Sequence, residues 1–401
     1  MLAAENTTTV FYVGIGVLVV ITIIIITIVA TKARKLATPS TVKKVQRDRI
    51  AILNGLIEPI AGKKKNIFDI EKTVPENQQL LINYCMNSCR LAGYLGPLQD
   101  GVFGEEDAVR LGFAAGCRLF VVEISEGEDG RPALIARDSM GYKRSLNNGS
   151  VSKLFSAMAT SSGRGDQPLL LALYFHDAPR NMDKYLSFLS QVAVALEPLI
   201  PYHLGLTDVG DFTRQKKANE LFTYEPDFYK GKVIIMTNAD TSAFRNPAGV
   251  GVNRKFSPRE DLDFFIHSRI FSLTSGLGIS SSSGSGSGSG AATVVIADDS
   301  YFLTTPPDKV ASVVNMTRNT FTIVMHKDPS WVPSATVAEA LQKTYGVQSI
   351  PVPLDAATLL VDNTWTVKEP STRFTKPAPI VPTIPNPKLD ARGGSLVAPQ
   401  L

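Results

Sequence analysis

Histidine, cysteine and net charge are all in short supply in this chain, and each shortage removes a class of function. The three cysteines, Cys85, Cys89 and Cys117, are odd in number and follow no repeating spacing, which argues against a disulfide framework or a zinc site. They read as buried free thiols in a reducing compartment. A formal net charge of +4, with the positive excess near the start, falls short of the broad basic face of a nucleic-acid-binding protein. Glycine loops that cradle phosphates are missing too: neither GxGxxG nor GxxxxGKS/T stands at a strand–helix junction.

No Lys or Arg precedes the first long apolar run, "VFYVGIGVLVVITIIIITIVA", Val10 to Ala30. A cleavable signal peptide needs a basic start, a shorter apolar core and a small-residue cleavage site, so a permanent anchor is expected. The run is long enough to cross a bilayer as one helix. Lys32, Arg34, Lys35, Lys43, Lys44, Arg47 and Arg49 follow it, which predicts a single-pass topology with residues 1–9 outside and the bulk of the chain on the cytoplasmic side. Asn6-Thr7-Thr8 fits a glycosylation sequon on the outer tail. Residues 31–77 are expected to form a basic juxtamembrane segment. Within it Lys63, Lys64 and Lys65 are candidates for anionic lipid headgroups, at about 1 kcal/mol per charge near the surface.

From about residue 78, apolar strand-like runs alternate with helix-like segments. "RLFVVEI", "PALIAR", "PLLLALYF" and "KGKVIIMTN" are strand candidates. "GEEDAVRLGFAAG" and "NMDKYLSFLSQVAVALEPLI" are amphipathic helices, the second with Tyr185, Leu189, Val192 and Leu196 on one face. Leu119 to Val122 lack period-2 alternation, as in a strand covered on both faces, and that strand delivers Glu123 at its C-terminal end. Alternating β and α units predict a parallel sheet. In a TIM-type (β/α)8 barrel, strand C-termini are where working groups sit. "SSSSGSGSGSG", residues 280–290, interrupts the pattern as a flexible linker. "AATVVIADD", "TFTIVMH" and "GVQSIPVPL" resume it over 293–366, and residues 367–401 read as an extended proline-rich tail.

The order of these pieces resembles the X–Y catalytic barrel of phosphoinositide-specific phospholipase C, a PLC-like phosphodiesterase. "NSCRLAGYL" at 87–95 resembles the family's "SSHNTYL", and "GCRLFVVEI" its "GCRCVELD". "PALIARDS" at 132–139, "PLLLALYFH" at 168–176 and "YKGKVIIMTN" at 229–238 resemble the next stretches, making an X-like half of about 78–240. The Ser/Gly run stands where that family carries its linker. "TRNTFTIVMHKDPSWVPS" and "ALQKTYGVQSIPVPL" are similar to the Y half.

The resemblance implies a barrel over 78–366 whose site has degenerated. The family's first catalytic histidine falls on Cys89 and its neighbouring calcium-binding asparagine on Arg90. The acids of "VELD" fall on Val121 and Glu123, the second histidine on Asp138, and the last calcium-binding glutamate on Tyr174. Phosphate-gripping lysines fall on Met236 and Asn238, and the Y-half arginine and tyrosine on Thr322 and Val324. Phosphodiester cleavage of this kind needs a base, an acid and a metal, and one glutamate beside an arginine is not a calcium site.

The expectation is therefore a pseudoenzyme with no catalytic residues and no cofactor. Arg90 should pair with Glu123 as the local positive charge in place of an ion. A structural, tethering or binding role follows, with the membrane and a protein scaffold or capsid as partners and no nucleic acid. Degenerate, membrane-anchored enzymes of this make-up resemble components of large DNA viruses with an internal membrane. The alternative is an active phosphodiesterase on phosphoinositides, with calcium and a site built from Asp138, Glu123 and His176. Of the four histidines, His176, His203, His267 and His326, His176 ends a strand beside Asp177. Strand neighbours face opposite ways, so those two make a poor catalytic pair. Arg164-Gly165-Asp166 reads as a chance tripeptide.

Overall fold

The protein is described from a computed structural model covering residues 17–23, 37–61, 65–205, 220–274, 278–280, 294–359 and 365–376. Ten strands carry the argument: β1 (Tyr84–Met86), β2 (Ser88–Cys89), β3 (Leu119–Glu126), β4 (Pro132–Leu134), β5 (Leu169–Phe175), β6 (Val233–Thr237), β7 (Ser268–Thr274), β8 (Val294–Ala297), β9 (Phe321–Val324) and β10 (Trp365–Val367). Seven of them, β2-β3-β5-β6-β7-β8-β9, stand side by side in sequence order, every neighbour pair parallel.

The two edges of this sheet meet through residues 348–352. Ser349 bridges both Ile323 and Met86, and Val352 bridges Cys89. Met86 N–H donates to Gln348 O, Val324 N–H to Ser349 O and Arg90 N–H to Val352 O, each at 2.9 Å. The curled parallel sheet fits the expected TIM-type architecture. "GVQSIPVPL" supplies the joining segment rather than a full strand.

Continuous apolar strands follow from burial on both faces. Leu119, Val121, Leu170, Ala172, Ile234, Met236, Val294, Ile296, Phe321 and Ile323 pack together inside the curl. The alternate residues Phe120, Val122, Leu171, Leu173 and Ile235 pack outward against helices. Those helices are α1 (Pro39–Ala61), α2 (Glu105–Ala114), α3 (Val151–Thr160) and α4 (Met182–Ala195). In α4 the Asn181 side chain caps Lys184 N–H, and Leu189, Val192 and Leu196 are buried as their spacing predicts.

Three expectations are corrected. "PALIAR" is not a barrel strand: its first part, β4, folds back antiparallel on β3, with Leu134 opposite Ile124. The basic stretch after the apolar run does not stand apart from the barrel. Leu53 and Ile57 of α1 are buried against it, and Ala37 N–H donates to Leu146 O at 2.9 Å. The C-terminal tail begins later than 367, because β10 pairs antiparallel with β1, and the chain stays docked through Lys376, whose N–H donates to Asn77 O.

The expected membrane helix lies mostly outside the described residues. Residues 17–23 are helical and exposed, and among the described residues no helix is long and apolar enough to cross a membrane. The sequon at Asn6, Lys63 and Lys64, residues 281–290 of the Ser/Gly linker and the tail from 377 also lie outside them, while Lys65 is exposed.

Candidate functional site

The period-2 alternation that fills the curl with apolar side chains ends, at the strand C-termini, on polar ones. Glu123 continues the inward face of Leu119 and Val121. Its register partner is Tyr174, and His176 follows two residues later on the same face. Asn238 fixes that strand end: its Oδ1 accepts Phe175 N–H at 2.8 Å and its Nδ2 donates to Phe175 O at 3.0 Å. Arg90 emerges one residue past β2 and is followed by Leu91 at φ 52°, left-handed backbone that turns the chain away.

These placements bring Arg90, Glu123 and His176 together. Arg90 Nε donates to Glu123 Oε1 at 2.6 Å and its Nη2 to Oε2 at 3.4 Å. His176 Nε2 lies 2.5 Å from Glu123 Oε2. Arg90 Nη1 donates to His326 O at 2.5 Å and to Asp328 O at 3.4 Å. Arg90 and Glu123 are each only 4% exposed. Burial alone would push the Glu123 carboxyl up; the Arg90 guanidinium and His176 outweigh it and hold it at about 2. The Arg90–Glu123 contact expected from the sequence is present, and His176, named beside Glu123 only under the alternative reading, joins it.

The other expected positions lie differently. Cys89 alternates with Arg90 and packs into the layer between sheet and helices. Its thiol donates to Arg90 O at 3.3 Å, and a hydrogen bond with Cys117, with burial, pushes its pKa well up. It is a buried thiol and no nucleophile. Asp138 spends its carboxylate locally: Oδ1 accepts Met140 and Tyr142 N–H, and Oδ2 binds the Arg144 guanidinium. That makes it a turn-fixing residue. Tyr174 stacks edge-on against His176 with ring centroids 5.0 Å apart, and burial, then Glu123, raises its phenol. Asp177 turns away to Arg137 at 3.7 Å, as strand alternation requires.

Across the mouth, Asp298, Asp299 and His326 offer ligand atoms within 4.8 Å of one another. The His326 ring is already committed. Its Nδ1 accepts Asp328 N–H at 3.0 Å, which puts the neutral ring's proton on Nε2, 3.8 Å from Asp299 Oδ1. In that tautomer the ring has no lone pair facing the carboxylates. Burial, then the adjoining Asp298 carboxyl, raises Asp299 above the ordinary aspartate range. Trp331 stacks on the same ring, centroids 5.1 Å apart.

Calcium seeks six to eight oxygens. Glu123 offers oxygens that a guanidinium and an imidazole have already taken, so the residues at this position do not fit the ion. Open grooves lie elsewhere. One of about 960 Å³ runs outside the barrel between α1, α2 and α3, beside Lys43, Gln46, Glu105 and Lys153. Another of about 460 Å³ flanks the mouth beside Arg180, Tyr185, Asp240 and Asn246. His203 and His267 serve the backbone: their Nε2 atoms meet Phe265 O and Leu204 O, both at 2.9 Å.

No family profile and no curated protein sequence matches the chain. Solved structures do. PLC21 of S. officinalis is similar at 15% identity and a TM-score of 0.47, over 75% of this chain and 39% of its own. A calcium-dependent phosphoinositol-specific phospholipase C of Pseudomonas sp. is similar at 10% identity and 0.42, over 74% and 94%. A glycerophosphoryl diester phosphodiesterase of Silicibacter pomeroyi is similar at 12% and 0.36, over 69% and 93%. The chain thus spans about two fifths of the length of PLC21. At such identities and scores these likenesses assign no activity, metal or substrate to it.

Proposed function

We propose that this protein is a phospholipase-C-like barrel without turnover, held at a membrane by its N-terminal apolar run and serving there as a tether or scaffold. The observation that carries the reading is the closed Arg90–Glu123 pair. Four donor contacts of the guanidinium end on Glu123 and on two backbone carbonyls, in a place almost sealed from solvent. A cation saturated in this way neither binds a substrate phosphate nor leaves room for a metal. The same pair is held by mutual need, since removing one charge would strand the other in a buried site.

Tethering draws on the sequence and on α1. Only residues 31–36 separate the apolar run from the docked Ala37. Fully extended, they reach about 20 Å, so a barrel anchored this way stays against the bilayer. A protein scaffold is then the natural partner for the surfaces facing away.

The test is turnover of phosphatidylinositol by the purified full-length chain in detergent micelles, with and without calcium. The expected result is hydrolysis no faster than buffer in both. Hydrolysis that Glu123→Gln and His176→Ala each abolish would overturn the proposal in favour of an active phosphodiesterase using the His176–Glu123 contact.

A further inference from the structure

The N-terminal end of the barrel, opposite the mouth, is crossed by the C-terminal segment Trp365–Lys376. Trp365 is wholly buried, and its Nε1 donates to Gln167 Oε1 at 2.8 Å. Asn83 clasps Phe374 in both directions, Nδ2 to Phe374 O and Phe374 N–H to Oδ1, each at 2.7 Å. Arg318 Nη2, on the helix Val310–Asn319, donates to Ser371 O at 2.6 Å. At the centre of this strap Lys368, 1% exposed, sends its amine inward to Thr317 O at 3.1 Å, a carbonyl that also accepts Gln348 Nε2.

Space for the Lys368 stem comes from Gly346, at φ +69°. A Cβ there would lie 2.9 Å from Lys368 Cε and 2.6 Å from Thr372 Cβ. Among the described residues, the groups around the amine supply no counter-charge. From β1 come the Cys85 thiol, pushed up to about 11 by burial, and the Tyr84 phenol, also raised by burial. Arg318 adds a like charge from its helix. Within the strap, Arg373 Nε donates to Lys368 O at 2.7 Å, and Glu369 is exposed.

We propose that Lys368 is the latch of this strap: as a neutral amine it locks the C-terminal segment across the barrel floor, and once protonated it releases that segment from β1. A buried ammonium with one shared carbonyl and no carboxylate is costly, whereas water accepts it freely once the strap lifts. Burial first, with Arg318 adding to it, draws the Lys368 amine down to about 7 from its ordinary 10.5. The closed strap therefore prefers the neutral amine and the open strap the charged one. As pH falls between these values the open fraction rises about tenfold per unit, and below about 7 it levels off, because both forms then carry the proton.

Trp331 and Trp365 are the two tryptophans, so Trp331→Phe leaves Trp365 as a single reporter in the full chain. Its quenching by acrylamide is expected to climb as pH drops from 9 to 7 and to flatten below. In Trp331→Phe/Lys368→Met it is expected to stay at the pH 9 level throughout. The same pH profile in both, or none in the first, overturns the proposal. If the methionine variant fails to fold, hydrogen exchange of the unmodified chain decides: peptides covering 365–376 must open with falling pH while β5 peptides do not. Joint opening would be global unfolding and would equally sink the latch.

Discussion

Glu123→Gln is the sharpest perturbation of the Arg90–Glu123 pair. The amide keeps the shape of the carboxylate, so packing is preserved and the change is electrostatic. Two routes give its magnitude. A carboxyl held at about 2 instead of 4.5 contributes on the order of 3 kcal/mol at neutral pH. Breaking a buried pair by removing one partner costs about 3–5 kcal/mol, because Arg90 is left charged with two carbonyls for company. With an unfolding entropy of about 2.1 cal/mol/K per residue over roughly 300 folded residues, that loss lowers Tm by about 5–8 °C. Calorimetry on both proteins at pH 7 reads it directly. The double variant Arg90→Met/Glu123→Leu, which removes both charges, should lose less than Glu123→Gln alone. A Tm within about 1 °C of the unmodified chain for Glu123→Gln would show that the pair is not a buried, mutually dependent one, and the reasoning would fail.

Three further outcomes follow. Because the folded carboxyl titrates below its unfolded value, its contribution is complete above about pH 4.5 and disappears as pH falls towards 2; urea unfolding of wild type and Glu123→Gln should converge over that window, and a gap that persists at pH 2 would contradict it. Gly346→Ala places a methyl against Thr372 and Lys368 at positive φ and should destabilise by about 1–3 kcal/mol, measured by the urea midpoint; an unchanged midpoint would mean the strap does not sit tightly there. Vesicles rich in anionic lipid should float the chain in a salt-sensitive way if Lys63, Lys64 and Lys65 meet headgroups; salt-independent flotation would leave the attachment to the apolar run.

Much of the barrel could be read from the chain because burial on both faces leaves unbroken apolar runs, as in Leu119–Val122 and Leu169–Leu173. Arg90 and Glu123 were legible as partners through the order of the segments around them. His176 was harder. Its strand neighbour Asp177 drew attention, although the face shared by Ala172, Tyr174 and His176 points towards Glu123. Helix α1 hid behind its positive charges, yet Val42, Val45, Leu53, Leu56 and Ile60 lie against the core at helical spacing. The strap was concealed by the prolines that follow it, and nothing local in "TVKEPSTRF" announces that Lys368 is buried. "PALIAR" misled because hairpin and barrel strands share the same short apolar pattern, and only the glycine-bearing turn before it, with Gly127 and Gly130, separates the two.

The proposal turns on one claim: the Arg90 guanidinium occupies both carboxylate oxygens of Glu123 and so keeps a metal ion from them. A crystal structure of the protein grown with excess calcium, with the ion located by its anomalous scattering, tests that claim most directly. The account predicts no ion within bonding distance of Glu123 and Arg90 still on both carboxylate oxygens. A calcium coordinated by Glu123, with Arg90 swung aside, would contradict it.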